Sequence, residues 1–490
     1  MQRTLPLLRR DISLSTAIDD DDNILQELSY PKQRVDFYTC RVGDVKEWIS
    51  GSFNVCIPVD IYGQEDHAPG RVLIRFPLPY KVGEGQHPGN ADEKLRCEAA
   101  TYIWIRQNCP SLPIPRLWGF AFAHDSCFTA IEHANVFSRI RWYFHNMVSS
   151  VLGYPVRPPY LSRHSPFNLT TGYFLIEYVG STDTVMLSES WHKLRHDHKR
   201  RTNLFRGLSR IILSLAQSPF NCIGSLTMNN QGNIKLTNRP LTLRLHQLEN
   251  ESIPTNIGRD LTYSTCDSYY MDLLSCHDSR LRRAPNSVRD KADGEAQLSA
   301  LTIMRALLPH FTCRDYRRGP FIMTLTDLHQ SNIFVDTDWN IKSLVDLEWT
   351  CSHYHRGVDQ IYGEHLDAFS GIHAEFMHIF EQEEQVYAGA AGTRTSNLTS
   401  IMKKGWGIGN FWYFHALETP KGLYNIFLDH IQPRFLKVDD AKMVEFERTI
   451  SPYWTPDVQG FLDGKMQDKA VYEGHLRDAF AGAQEGWPNS

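Results

Sequence analysis

The 490-residue chain has no CxxC pair, no excess of basic charge and no apolar run near the ~20 residues that a membrane span needs. Each absence removes a class of protein. Ten scattered cysteines without a paired spacing argue against a zinc ribbon or a disulfide scaffold and imply reduced thiols, as expected of a cytoplasmic protein. The net charge of -5 gives no electrostatic footprint for nucleic acid. The start, MQRTLPLLRRDISL, has its apolar stretch broken by arginines and reads as no secretory leader. The sequons at Asn168, Asn250 and Asn397 are then chance matches, because glycosylation requires export. No repeat of solenoid length occurs, and neither a G-x-S-x-G elbow nor a Ser-His-Asp order suggests a hydrolase.

What is present is an ordinary globular composition, 42% hydrophobic and 22% charged, in a chain long enough for two or three lobes. Residues 1–34 read as a polar lead-in. From residue 35 the pattern is β-like: WISGSFNVCIPVDIYG and RVLIRFPLPY flank the loop QEDHAPG and predict a hairpin. A helix is expected in DEKLRCEAATYIWIRQN, another in the aromatic-rich VFSRIRWYFHNMVSSVLG, and a buried strand in YFLIEYVG. The later part reads as mainly helical, with residues 240–295 polar and irregular. WHKLRHDHKRR and the acidic EQEEQ (Glu381–Gln385) read as solvated helix faces. The expected architecture is α+β, with an N-terminal lobe over 35–178 and a helical lobe over 179–490.

The stretch TLTDLHQSNIFVD, followed by TDWN and IKSLVDLEWT, carries acids and amides where apolar strands seldom do. TDWN is a turn, because Asp and Asn favour tight turns. Folding the two apolar runs about Asp338 or Trp339 sets Asn332 roughly opposite Asp346, with Asp327 on the loop entering the hairpin. Two acids and an amide together make a hard-oxygen site suited to Mg²⁺ with phosphate. Glu348, two positions beyond Asp346, points to the same side if extended structure continues. The D-L-x-x-x-N spacing is also that of the catalytic loop of protein-kinase-type phosphotransferases.

TLTDLHQSNIFVD…IKSLVDLEWT resembles the aminoglycoside phosphotransferase family, whose corresponding text is H-G-D-L-x-x-x-N followed by I-D-W/F-E. SGSFNVCIPVD resembles the family's phosphate-covering loop, RVLIRFP its strand with the basic nucleotide contact, the helix with Glu98 the one whose acid pairs with that base, and FLIEYV its adenine-holding linker. The resemblance implies a bilobal protein-kinase-like fold with ATP and Mg²⁺ as cofactors. It implies Asp327 as catalytic base and Asn332, Asp346 and Glu348 as metal ligands. Gly51, Ser52, Arg75, Glu98, Glu177 and Val179 would be the nucleotide-binding residues. The reaction implied is phosphoryl transfer to a hydroxyl of a small molecule, with neither nucleic acid nor membrane as partner. Leu325 and Thr326 replace the family's His and Gly, and Arg75 stands where Lys is commoner; these departures admit a pseudokinase as the alternative.

Overall fold

The computed structural model describes residues 40–62, 70–123, 126–154, 156–164, 171–180, 183–353, 366–391, 397–437 and 439–485. The expected lead-in, 1–34, lies outside them. The chain is a mixed α and β protein with antiparallel sheet, and it divides into two compact units. The first comprises the chain up to Ser218 with Gly224–Leu243 and Met323–Cys351; the second comprises Pro219–Ile223, Arg244–Ile322 and the chain from Ser352 onward.

The first unit is built on a sheet of β1 (Cys40–Val42), β2 (Ile49–Ser50), β3 (Asn54–Ile61), β4 (Arg71–Pro77), β5 (Leu117–Ala121), β6 (Ser126–Ala130), β7 (Tyr160–His164) and β8 (Tyr173–Glu177). Its order is β1-β3-β4-β8-β5-β6-β7, with β2 on β3, and each pairing is antiparallel. The expected hairpin is β3 against β4, in register from Asn54↔Pro77 to Asp60↔Arg71. Period-two alternation sends Val55, Ile57 and Val59 with Val72, Ile74 and Phe76 into one core, beside Trp118 and Leu175. Arg75 therefore faces the other way.

On that other side lies α1 (Asn90–Asn108), the helix expected there. It is buried nearly all round rather than along one stripe, and Glu93, Lys94 and Glu98 are among its buried residues. α2 (Val136–Val151) follows β6. β9 (Val185–Met186), α3 (Leu187–Leu194) and α4 (His198–Ala216) come next, then the hairpin of β10 (Ser225–Met228) and β11 (Ile234–Asn238). The remaining strands are β12 (Ile322–Leu325), paired with β15 (Thr350–His353), and a hairpin of β13 (Ile333–Val335) and β14 (Ile341–Leu344). The basic run around α4 is more than a solvated face. Lys199 meets Asp338 at 3.2 Å, and Arg200 Nε donates to the Thr337 carbonyl at 2.9 Å, so two of its cations hold the turn of that last hairpin.

The second unit is helical. α5 (Leu243–Asn250, its first residue in the first unit) and α6 (Cys266–Arg283) occupy the stretch whose polar composition reads as irregular. That reading missed the buried faces that Leu245, Leu248, Tyr269, Tyr270 and Leu274 supply. α7 (Lys291–Phe311), α8 (Leu366–Ala391), α9 (Leu398–Ile408) and α10 (Asn410–Glu418) follow, then α11 (Leu423–Ile426), α12 (Asp440–Ile450) and α13 (Val458–Glu485). The EQEEQ segment is not wholly solvated. Glu383 and Glu384 are buried, and the Glu384 carboxylate accepts from the N–H groups of Leu398 and Thr399 at 2.7 and 3.2 Å. A carboxylate there meets the unpaired donors and positive end of α9. Among the described residues no helix is long and apolar enough to cross a membrane.

Within this unit His277 is buried against the Leu417 carbonyl, Nε2 to oxygen 2.7 Å. Burial pushes its pKa down to about 4. As pH falls from about 6.5 toward 4, the unfolded chain takes up a proton here that the folded chain refuses. Stability is therefore lost across that window, by up to about 3 kcal/mol for this group. Replacement by Gln should flatten the acid side of a plot of urea midpoint against pH; an unchanged slope would contradict the assignment.

Candidate active site

The β13–β14 hairpin brings the sequence-predicted residues together, with one change of register. Ile333 pairs with Leu344 and Phe334 with Ser343, but a bulge then sets Val335 against Ile341. Asn332 consequently lies opposite Val345, whose N–H donates to the Asn332 carbonyl at 3.0 Å, and Asp346 is the next residue out. The turn is closed by Asp336, whose Oδ1 accepts from the N–H groups of Asp338 and Asn340 at 3.0 and 2.9 Å. Trp339 takes a positive φ of 64° there, its buried ring stacked on Trp191. At the mouth, Asn332 is buried and its Nδ2 donates to the Asp327 carbonyl at 2.9 Å. Asp327 is half-buried on the entering loop. Thr326 is pinned by its N–H and hydroxyl, both donating to the Trp349 carbonyl at 3.1 and 2.7 Å.

Asp346 has φ 57°, a left-handed conformation that an ordinary residue adopts at a cost of about 1–3 kcal/mol. The kink lies just past the end of β14 and brings Asp346 and Glu348 to one guanidinium, which Glu98 reaches from α1. Arg75 Nη1 donates to Asp346 Oδ1 at 2.6 Å; Nη2 donates to Glu348 Oε2 at 2.7 Å and also pairs with Glu98. Glu348 in turn accepts from Asn54 Nδ2 at 2.9 Å and lies 3.3 Å from Lys94 Nζ, which donates to Asn54 Oδ1 at 2.6 Å. Arg75, Lys94, Glu98 and Glu348 are buried almost completely, whereas the Asp346 side chain keeps 36% of its exposure.

Three carboxylates share two cations, so the cluster carries one negative charge too many for its burial. Burial pushes Glu98 up to about 7 against the pull of Arg75, and its Oε1 has no hydrogen-bond partner. Burial and the Glu348 charge also raise Asp346. Glu348 is held down: burial works against it, but Lys94, Arg75 and the Asn54 bond outweigh burial.

The sequence reading pairs Arg75 with Glu98 and assigns Asp346 and Glu348 to a metal; the structure brings all four around the Arg75 guanidinium. The Glu348 carboxylate is occupied by Arg75, Lys94 and Asn54. Among the described residues no group of three or more His, Cys, Asp and Glu side chains is arranged as a metal site. Asp346 Oδ2 and the Asn332 amide oxygen are the atoms of the predicted set left to meet a cation. Arg75, expected to contact phosphate, has both terminal nitrogens committed to carboxylates. Lys94 and Asn54 were missed. A Lys four residues before Glu98 was a signal, since it lies on the same helix face.

Gly51 and Ser52 form the exposed tip between β2 and β3, where the Gly51 N–H donates to the Asn54 carbonyl at 2.9 Å. The tip thus begins the strand that carries Asn54 into the cluster. Glu177 ends β8; its N–H donates to the Arg116 carbonyl and its side chain accepts from the Arg116 N–H, each at 2.9 Å. The Val179 carbonyl accepts from the Thr184 hydroxyl at 3.1 Å.

No family model matches the chain, and no curated protein matches it. Among solved structures, one described as a "putative aminoglycoside phosphotransferase" from Ralstonia eutropha JMP134 aligns over 90% of this chain and 98% of its own, at 11% identity and a TM-score of 0.39. A likeness of that size carries neither fold nor chemistry across.

Removing one partner from a buried charge cluster leaves the others uncompensated. Lys94→Ala should cost about 3–5 kcal/mol, against under about 0.5 kcal/mol for exposed Lys46→Ala. Urea unfolding followed by tryptophan fluorescence measures both; a Lys94 cost below about 1 kcal/mol would show that the cluster does not anchor the fold.

Proposed function

We propose that the chain is an ATP-dependent phosphotransferase of the bilobal protein-kinase-like kind, acting on a hydroxyl of a small molecule as aminoglycoside phosphotransferases do. The observation that carries the reading is the Arg75–Glu98 pair joined to Asp346 across 271 residues of sequence, on the hairpin whose mouth holds Asn332 and Asp327. Phosphoryl transfer needs little covalent chemistry from the protein; it needs positioned oxygens and fixed charge.

Asp327 takes the acceptor's hydroxyl proton. Asn332 and Asp346 hold Mg²⁺, which when bound neutralises charge on the phosphates. The donor set fits that ion: two oxygen atoms, one from a half-exposed carboxylate, beside a cluster already one negative charge in excess. Glu98 and Glu348 hold the Arg75 guanidinium in place, and Arg75 fixes Asp346 through one oxygen while the other stays open. The Gly51–Ser52 tip covers the phosphates, with the Ser52 amide facing them while the Gly51 N–H is held by the Asn54 carbonyl, and the Glu177–Val179 linker holds the adenine.

The alternative is a pseudokinase with the same fold. Full commitment of the Arg75 terminal nitrogens to carboxylates favours it, as do Leu325 and Thr326 ahead of Asp327.

The test is a screen of small hydroxyl compounds for Mg·ATP-dependent phosphorylation. Asp327→Asn should lower the rate by about 10²–10⁴-fold without moving the melting temperature. Equal background in both proteins, with a melting temperature still raised by Mg·ATP, would leave the pseudokinase; no thermal shift would remove both readings.

A further inference from the structure

α2 is an amphipathic helix mounted inside out. Val136, Phe137, Ile140, Phe144, Met147 and Val151 fall within about 100° of its circumference at 3.6 residues per turn. All six are more than half exposed, Phe137 at 85% and Val151 at 81%. The opposite face is polar, and that face holds the helix to the protein. Asn146 Nδ2 donates to the Arg157 carbonyl at 3.1 Å and its Oδ1 accepts from the Arg157 N–H at 3.0 Å, while Trp142 Nε1 donates to the Pro158 carbonyl at 3.0 Å. Asn146 and Ser149 are the buried residues of the helix. A helix that packs on its own core does the reverse. The apolar surface continues past the helix end through exposed Leu152, Tyr154 and Val156.

Charge identifies what covers it. Arg139 and Arg141 flank the apolar arc, about 60° and 40° beyond its two edges, and between His133 and Ile176 the sequence has Arg139, Arg141, Arg157 and Arg163 but no Asp or Glu. The whole chain, by contrast, carries -5. Self-pairing through this stripe would bring four arginines together with no acid between them, which disfavours a second copy. An apolar stripe edged by arginines, with Tyr143 exposed beside it, is the composition of a helix that lies in a membrane interface.

We propose that α2 docks the protein onto an anionic lipid surface. The apolar stripe enters the acyl boundary while Arg139 and Arg141 reach back to the headgroups. No spanning segment is needed, and the inference is independent of the reaction proposed above.

The test is flotation of the full chain with vesicles of phosphatidylcholine alone and of phosphatidylcholine mixed equally with phosphatidylserine, with size-exclusion chromatography and light scattering in parallel. The wild type should float with the mixed vesicles and much less with phosphatidylcholine. Phe137→Ser/Phe144→Ser/Val151→Ser should weaken binding at least tenfold. Arg139→Gln/Arg141→Gln should erase the preference for phosphatidylserine. Since these side chains are exposed, circular dichroism and melting temperature should not move. Absence of flotation by the wild type, or equal flotation by the triple variant, overturns the proposal. So does a wild-type dimer abolished by the triple variant without vesicle binding, which would give the stripe to a second copy.

Discussion

The first unit depends on the Arg75 guanidinium. It is a strand residue facing away from the sheet's apolar core, and it gathers carboxylates from α1 and from the segment after β14. Burying such charge costs several kcal/mol per ion in desolvation, and well-packed apolar residues would often stabilise as much. What the cluster supplies instead is position. An apolar contact at this spot would tolerate a slip of one residue, whereas Asp346 and Glu348 must meet two particular nitrogens. Lys94 and Asn54 extend the constraint to β3, and Glu93 ties α1 to the end of β11 by accepting from Asn238 Nδ2 at 2.8 Å and from the following Arg239 at 2.9 Å. α1 therefore ties the sheet, the hairpin segment and the end of β11 together through three buried charged residues, Glu93, Lys94 and Glu98.

The hairpin is held at its other end too. Asp336 closes the turn, Lys199 and Arg200 grip it from α4, and Trp339 Nε1 donates to Ser190 at 2.9 Å. With both ends fixed, the left-handed kink at Asp346 has no freedom to relax, and this fixes which way its carboxylate faces. The excess negative charge emerges at the one member of the cluster that solvent reaches. A cation from solvent would meet that charge at Asp346, whereas a proton would be taken first by Glu98, whose carboxyl burial raises to about 7.

The hairpins were legible because alternation and turn chemistry are local: β3–β4 and β13–β14 were both read from apolar runs around polar turns. The pairing of Asn332 was one residue out because the turn centres on Asp338, setting Val335 against Ile341, and the bulge between Phe334 and Val335 makes up only one of the two residues by which that turn falls short of the Asn332–Asp346 pairing. Arg75 and Glu98 were readable only through family likeness. Lys94 was invisible to composition, since a lysine among helical acids reads as solvated, and its burial is set by residues some 250 positions away. The helices of residues 240–295 escaped for a related reason. Their apolar faces are short and interrupted by polar residues, and only packing against neighbours of the same unit reveals them.

α2 shows the same limit from the other side. Its periodicity announces an amphipathic helix, yet periodicity does not say which face turns inward. The answer lies in hydrogen bonds from Asn146 and Trp142 to a backbone segment more than ten residues on. The sheet order then sets α2 apart from the site. α2 lies in the connection between β6 and β7, the far edge of the sheet, while Arg75 is on β4. Four strand spacings of about 4.8 Å separate β4 from β7, on the order of 19 Å. The docking stripe proposed for α2 and the cluster around Arg75 and Asp346 are therefore separate features of the first unit, set four strands apart.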